Sequence, residues 1–570
     1  MTTIDLKLTK TNPRLFFKDV LLITIMAVLA ACGLIYQYLL SNYAGRILGV
    51  MEHAIFTMIG IMIVSMGIGS FAAKLVKCPF SGFAWLEIII AFLGATGILI
   101  IGGAFALAYI FPAVLAENYG MPYDLIPHGG VVIYAEKLAN VIPYVIGFII
   151  GLLIGMEIPF IARVRENIYG QHLEHNVGTI YGADYIGAGI GAAIFIIWML
   201  SSPPEVAAVY TAIANLFAGL AFFFMFHKKI KFAGLLFMMH LCLGVLFISL
   251  FSSAENMNKT LQDVLYDDKV VFSKNTDFQH IILTERKMSS VAAPIYTLYL
   301  NGRTQFSSSD EHIYHDMLVH PAMLASRSHD NVLIIGGGDG LALRDVLKWN
   351  PEKVTLLELD KEMVKLFSEP ELAGGKVINE SLLKLNRNSF SDPRVEVILG
   401  DAYNSIDKLL SQNRKYNTII VDLPDPSHPN LNKLYAARFY KKLFELLNGD
   451  GAISVQSTSP YHAKLAFLTV GVTLEHAGFE KIQRYHQNVP SFGQWGWTIA
   501  TKFGASPQER IRTSEHKVPD NSWATNELVL ASFEFGKGFF DDEENLEPNR
   551  LGSNLMYILH KKAWLDDGGS

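Results

Sequence analysis

Seven predominantly apolar runs crowd the first 251 residues of this chain, at about 20–40, 54–75, 84–111, 136–162, 178–200, 204–226 and 232–251, and no comparable run follows Phe251. A hydrocarbon layer roughly 30 Å thick is crossed by about 20 such residues in helical form, so the first half is predicted to be a multi-span helical membrane domain. The first run is too long and too far from the start to be a cleaved leader, and it is expected to remain as a span. Composition agrees: 51% of the 570 residues are apolar and only 18% charged, too apolar for a wholly soluble chain. A net charge of −6 argues against nucleic acid as a partner and favours cationic ligands. The three cysteines, Cys32, Cys78 and Cys242, have neither disulfide-framework nor zinc spacing, and no metal constellation is expected.

Basic residues alternate along the loops of this half. Lys7, Lys10, Arg14 and Lys18 precede the first run, Lys74 and Lys77 follow the second, Arg163 and Arg165 the fourth, and Lys228, Lys229 and Lys231 the sixth. The intervening loops hold little beyond Arg46, Glu117 and Asp124. By the positive-inside tendency this places the N-terminus inside and, after seven spans, the second half outside. Within the spans, Glu157 in GMEIP and Asp184 in ADYIGAGIG are the deepest ionisable residues. They read either as interhelical hydrogen-bonding glue beside Gly187, Gly189 and Gly191, or as a cation path or substrate site.

After residue 251 the pattern changes. VVFS, FQHIIL and YTLYL predict a small antiparallel sheet, and from Asn331 strands alternate with helices. That alternation predicts an α/β Rossmann-like, doubly wound sheet, completed by late strands near 481–486 and 496–502. The expected domains are 1–251 (transmembrane), 252–325 (small β domain) and 326–570 (Rossmann-like). The acidic stretch at 541–548 reads as an exposed loop.

Strand VLII runs into Gly336-Gly337-Gly338-Asp339-Gly340 and then a helix, a glycine turn at the strand edge where open α/β sheets bind ligands. Glu358 ends the next strand about 20 residues on, the distance at which a carboxylate meets ribose hydroxyls. The full dinucleotide pattern is absent, so a nucleoside without pyrophosphate is the better guest.

Four blocks in order, TDFQHI, LNGRTQFSSSDEHIYHDMLVHP, VLIIGGGDGLALRDVLKW with LLELD, and GDAY with VDLPDPSHP and FY, resemble the spermidine synthase (polyamine aminopropyltransferase) family, whose fold is methyltransferase-type. The resemblance covers roughly residues 255–563, and GMEIP and ADYIGA look like span motifs of its membrane-integrated branch. It implies transfer of an aminopropyl group from decarboxylated S-adenosylmethionine, as co-substrate with no further cofactor, to putrescine or a related polyamine, giving spermidine and methylthioadenosine. Asp422 is then the general base, with Tyr314 beside the attacking nitrogen. Donor contacts are Gln279, Gly336, Gly338, Asp339, Glu358, Asp401 and Ala402; acceptor contacts are His315, Asp425, Gln305, Gln456 and Phe492. Plainer readings stand beside these: Asp422 and Asp425 shaping a turn, His315 as a core histidine, Asp339 as a helix cap. The family pattern is departed from at Leu341, Phe492 and DPSHP, which loosens the acceptor's identity more than the donor's. Two other functions compete, an S-adenosylmethionine-dependent methyltransferase and a polyamine transporter or sensor. A homo-oligomer in a bacterial inner membrane is expected, in contact with lipid. The donor is an intracellular metabolite, so the catalytic half is expected in the cytoplasm against the loop charges; this requires that 84–111 or 178–200 be re-entrant, leaving an even span count.

Overall fold

Every apolar run of the first half becomes an α-helix, two of them closing in a 3-10 turn at Ala73–Leu75 and Met199–Ser201, because nothing in a run of Leu, Ile, Phe and Gly offers the backbone another set of hydrogen bonds in an apolar medium. The computed structural model describes residues 13–48, 51–118, 130–170, 176–266, 268–289, 292–370 and 376–566, in two units, Met1–Val270 and Val271–Ser570. In the first unit the helices are α1 (Pro13–Leu48), α2 (Met51–Ala72), α3 (Pro79–Asn118), α4 (Val131–Tyr169), α5 (Asn176–Ile197), α6 (Pro204–Phe226) and α7 (Ala233–Leu265). Among the described residues seven helices are long and apolar enough to cross a membrane, with mean hydropathies from 1.6 to 2.4. Pro79 and Pro204 open α3 and α6, where a missing N–H costs nothing and the fixed φ suits the helix.

Both segments expected to be re-entrant are continuous helices. Residues 84–111 lie inside unbroken α3, and 178–197 inside α5, which at 1.5 Å per residue is about 33 Å long; neither doubles back. The basic clusters gather at one end of the bundle. Arg163 donates to the carbonyl oxygens of Ala73 and Lys77 at 3.1 and 2.9 Å, and the Lys229 ammonium lies 4.6 Å from the centre of the Phe80 ring. Arg165, counted above as a loop charge, is instead buried in α4. Its guanidinium grips Asp19 of α1 through two bonds of 2.6 and 3.0 Å and donates to Asn176 Oδ1 at 2.8 Å. Lys7, Lys10 and Asp124 lie outside the described residues. Gly187 and Gly191 let α5 sit directly on α1: a Cβ there would come 2.0 Å from Ala27 O and 2.6 Å from Ala31 O. Gly189 meets no neighbour, as expected two residues round a helix. Glu157 is buried and Asp184 half-buried.

The second unit opens with a four-stranded sheet in the order β1 (Lys269–Asn275), β2 (His280–Arg286), β3 (Ile295–Leu300) and β4 (Arg303–Ser307). Asn301 and Gly302, at φ 52° and 81°, make the tight turn into β4, a strand the sequence reading omitted. Helix α8 (Glu311–Ala325) leads into a seven-stranded sheet. Its strands are β5 (Asn331–Gly336), β6 (Lys353–Glu358), β7 (Val395–Leu399), β8 (Tyr416–Asp422), β9 (Leu447–Gln456), β10 (Lys481–Val489) and β11 (Gly493–Thr501). The order is β10-β11-β9-β8-β5-β6-β7, with β5 to β9 parallel and the β10–β11 hairpin antiparallel on β9. The chain reverses its direction of travel along the sheet between β5 and β8, and there the ends of both strands, Gly336 opposite Asp422, face one crevice.

Helices cover both faces, as a parallel sheet with continuous apolar strands such as NTIIV requires. On one face α8 and α9 (Leu341–Leu347) pack on Val332, Ile334 and Ile420. Helices α10 (Lys361–Ser368) and α11 (Lys376–Leu385) join the small sheet's core together with Leu341 of α9, and on the other face α12 (Ala402–Ser411), α13 (Ala437–Leu446) and α14 (Lys464–Ala477) pack on Leu333, Ile419 and Ile453. Helices α15 (Pro507–Thr513), α16 (Asn526–Ala531) and α17 (Leu555–Asp566) complete the unit. The acidic stretch is not simply solvated: Glu543 pairs with buried Arg484, and Asp542 with Lys464 at 2.7 Å.

Candidate active site

Three of the glycines after β5 do separate jobs. Gly336, at φ +83°, turns where a Cβ would strike Asp422 O at 1.9 Å. Gly338 admits a carboxylate: a Cβ there would come 2.8 Å from Glu358 Oε2. Gly337, at φ +68°, presents its backbone to Asp422 Oδ2, which a Cβ would meet at 3.2 Å. The loop is thereby pressed between the ends of β6 and β8.

Four predicted residues meet beside it. The Tyr314 hydroxyl, from α8, donates to Asp422 Oδ1 at 2.8 Å. His315 lies within electrostatic reach of both Asp339 and Asp422. Its Nδ1 is 2.8 Å from Glu311 Oε2, and although burial opposes the charged ring, that partner lifts its pKa to about 9. Burial raises the Asp422 carboxyl above the usual range, while the His315 charge and the Tyr314 bond restrain the rise. Burial likewise pushes Asp339 to about 6, with Asp422 adding to it. The capping role of Asp339 is real but partial: Oδ1 accepts from Leu341 N–H at 2.9 Å, at the first residue of α9.

Asp425 is held the other way. Gln456 Nε2 donates to its Oδ1 at 2.7 Å, and His560 Nε2 lies 3.2 Å from Oδ2. With the charge of Arg303, these contacts outweigh burial and depress its pKa below the ordinary carboxylate value. Three residues from Asp422, it is thus kept ionised while Asp422 is made basic. The Tyr435 hydroxyl orients the set, bonding to Pro424 O at 2.8 Å and Gln456 Oε1 at 3.0 Å. The Phe492 ring stands edge-on to Tyr314 with centroids 6.1 Å apart.

Glu358 is the centre of a second group. Its Oε1 accepts from Asp360 N–H at 2.9 Å, and burial, with Asp360 and Asp339 near, raises its pKa to about 7. Gln279 reaches this edge by donating to Asp360 Oδ2 at 3.1 Å. The β7 end joins it through Gly400 N–H to Glu358 O at 2.8 Å, which sets Asp401 and Ala402 alongside. Asp401 caps α12 through Tyr403 N–H at 2.9 Å and pairs with Lys433. The Gln305 amide is held locally, donating to the carbonyl oxygens of Arg303 and Thr304, both at 3.3 Å. Glu311, Arg303, Tyr435 and His560 were not singled out by sequence. Glu311 and Arg303 sit inside the quoted blocks beside chosen residues; His560 lies in the last helix, with no motif to mark it.

Seven apolar helices joined to a small antiparallel sheet and a methyltransferase-type sheet, with carboxylates packed round a glycine turn, define a membrane-type protein carrying a nucleoside-binding transferase unit. Comparison with known proteins narrows the class. Residues 311–510 match the Spermine/spermidine synthase domain. The chain is 51% identical over 554 residues to the polyamine aminopropyltransferase of Shewanella oneidensis, covering 97% of this chain and 96% of that protein. It is 33% identical over 506 residues to polyamine aminopropyltransferase 1 of Streptomyces coelicolor, covering 87% of each. A crystal structure of spermidine synthase in complex with the transition-state analogue AdoDATO is 25% identical, covering 49% of this chain and 89% of that one, with a TM-score of 0.40. This chain belongs to the polyamine aminopropyltransferase family, and the 97% coverage carries that membership through the helical unit as well as the catalytic one. It is a transferase of polyamine biosynthesis, and its apolar helices are compatible with a membrane setting.

Proposed function

We propose that this enzyme transfers the aminopropyl group of decarboxylated S-adenosylmethionine to putrescine, giving spermidine and methylthioadenosine, with Asp422 as general base. The observation that carries the reading is the pair of aspartates after β8, one raised and hydrogen-bonded to Tyr314, the other held ionised by Gln456 and His560. Asp425 anchors the distal ammonium of the acceptor. Its reactive amine meets Asp422, loses a proton to that carboxylate, and attacks the carbon next to the sulfonium. The new C–N bond forms as the C–S bond breaks, and the sulfur leaves with the electron pair as a neutral thioether. In-line placement supplies much of the rate, since two cations must be brought together in one orientation. Glu358 accepts from the ribose hydroxyls, Asp401 and Ala402 border the adenine, and Asp339 faces the donor's terminal ammonium. Gln279, His315, Gln305 and Phe492 complete the lining. Purified full-length protein given this donor and putrescine should release methylthioadenosine and spermidine. Methyl transfer from intact S-adenosylmethionine instead would overturn the reading.

Asp339 is the element that separates the two donors, because the carboxylate of the intact one would face it. Asp339→Asn is expected to weaken the decarboxylated donor and to shrink its advantage over S-adenosylmethionine. The pH dependence has the same origin. Asp339 and Glu358 act as carboxylates, so donor kcat/KM is full above both pKa values and falls as pH drops through about 7 and then about 6. Asp339→Asn should make that fall shallower. Unchanged donor discrimination and an unchanged acid limb would together remove Asp339 from this role.

The catalytic unit is assigned to the cytoplasm on donor supply, against a seven-span count and a basic helix-bundle end that point outside, and the assignment requires that one of the seven helices not cross the layer fully. Single cysteines at exposed Lys287 and Asp541, in a chain lacking Cys32, Cys78 and Cys242, test it; Ser308 is half-buried and accepts from Tyr296 N–H, so it is a poorer site. Both cysteines are expected to resist a membrane-impermeant maleimide until lysis. Labelling of intact cells places the unit outside.

A further inference from the structure

The catalytic pocket is not the only place where this chain buries carboxylates. Within the helical bundle, side chains from five helices converge: Tyr36 of α1, Glu87 of α3, Glu157 of α4, Asn215 of α6 and His240 of α7. None is more than 3% exposed. Asn215 Nδ2 donates to Glu87 Oε2 at 2.9 Å. A Cβ on Gly219 of α6 would lie 3.3 Å from Glu87 Cβ and 3.4 Å from His240 Nε2, so carboxylate and imidazole flank the same glycine. Glu157 and Tyr36 are each within electrostatic reach of Glu87. Glu87 is eight residues into α3, about 12 Å from its start, which puts the group well inside the apolar layer.

What distinguishes this cluster is how little of it is satisfied. Tyr36 OH, Glu87 Oε1, Glu157 Oε2, Asn215 Oδ1 and His240 Nε2 are all fully buried with no hydrogen-bond partner among the described residues. Each such atom has lost its water without gaining a partner, and two carboxylates in an apolar medium repel one another as well. Interhelical glue would have paired these atoms; among the described residues the bond from Asn215 Nδ2 to Glu87 Oε2 is the one hydrogen bond between the cluster's side chains. Their chemistry is also of one kind. His240 Nδ1 lies 2.9 Å from Leu236 O and donates to it, so the neutral ring presents a lone pair at Nε2. The carboxylate and amide oxygens accept, and a tyrosine hydroxyl can do so. An occupant must therefore bring N–H or O–H donors and positive charge. A metal ion fits poorly, since among the described residues no three His, Cys, Asp or Glu stand together as a ligand set. An ammonium group, with three donors and one charge, meets every requirement.

We propose that the helical bundle holds a binding site for an alkylammonium ligand, with Glu87 and Glu157 as counter-charges and Tyr36, Asn215 and His240 as acceptors. It shares no residue with the catalytic pocket, and two carboxylates suit a ligand with more than one amine. The test is equilibrium binding of radiolabelled putrescine and spermidine to the full-length chain in lipid nanodiscs, without donor, so that its outcome does not depend on whether aminopropyl transfer occurs. An Asp425→Ala background removes the catalytic anchor. In that background binding should persist, and Glu87→Gln or Glu157→Gln should weaken it at least tenfold. In the otherwise unaltered chain the same two substitutions should leave the acceptor's KM and kcat within about twofold. Tyr36→Phe, which keeps the shape and deletes one acceptor, should weaken binding several-fold, and it serves should a Gln variant fail to fold. No amine binding in the Asp425→Ala chain, binding indifferent to Glu87, Glu157 and Tyr36, or a bundle that takes sodium and no amine would each overturn the proposal.

Discussion

Asp422→Asn should lower turnover by roughly 10²-fold or more while donor affinity stays close to that of the unaltered chain. The substitution preserves shape. Its amide oxygen can still accept from the Tyr314 hydroxyl, now 2.8 Å from Oδ1, so the tyrosine keeps its place. What disappears is the one oxygen able to take a proton from an amine whose unperturbed pKa is near 10.4. Burial raises the pKa of Asp422 and so makes it a better proton acceptor, an advantage an amide cannot reproduce. Any acid limb of kcat that belongs to Asp422 should vanish with the activity. Asp425→Ala contrasts with it: the lost group is an anchor held ionised, so the acceptor's KM should rise most. Near-normal turnover in Asp422→Asn would move proton transfer to another group.

The residues of this site that the sequence disclosed are those fixed by strand ends. Asp339, Glu358, Asp422 and Asp425 follow runs such as VLII, TLL and TIIV, whose burial on both faces makes them strands and puts their carboxyl ends at one edge of a parallel sheet. The residues that orient them were hidden because their contacts are long in sequence. His560 meets Asp425 across 135 positions and Arg344 meets Glu311 across 33, and no local periodicity encodes either. Strand β4 was missed for another reason. Asn301-Gly302 is a two-residue hairpin signal, but the strand after it, RTQFS, carries charge and lacks a run of apolar residues. In the membrane half, run length gave the helices directly, whereas Arg165 looked like a loop charge because its partner Asp19 lies 146 positions away. Hydropathy records what a segment buries; it is silent on which helix supplies the counter-charge.

The buried ion pairs behind the site predict a loss of comparable size in stability. Arg344 donates to Glu311 Oε1 and Oε2 at 2.7 and 3.0 Å, to Asp345 at 3.0 and 2.9 Å, and to Leu385 O at 3.0 Å. All three charged side chains are less than a tenth exposed. Glu311, against the cost of its burial, is held down to about 2 by His315 and Arg344 together. Arg344→Met keeps the volume and removes the charge, leaving two carboxylates in the interior with His315 and Lys348 as their remaining partners. Removing one partner of a buried pair costs roughly 3–5 kcal/mol, because the surviving charge has lost the interaction that offset its desolvation. In thermal unfolding of the full chain, the transition of the catalytic unit should fall by on the order of 5–15 °C. Glu311→Gln in the same chain should recover part of the loss, since the orphaned charge is then gone, and that recovery separates the electrostatic cause from a packing defect. If Arg344→Met shifts the transition by less than about 2 °C, or the second substitution deepens the loss, the ion pair does not stabilise the unit as argued, and the raised pKa of His315 must draw on Glu311 without help from Arg344.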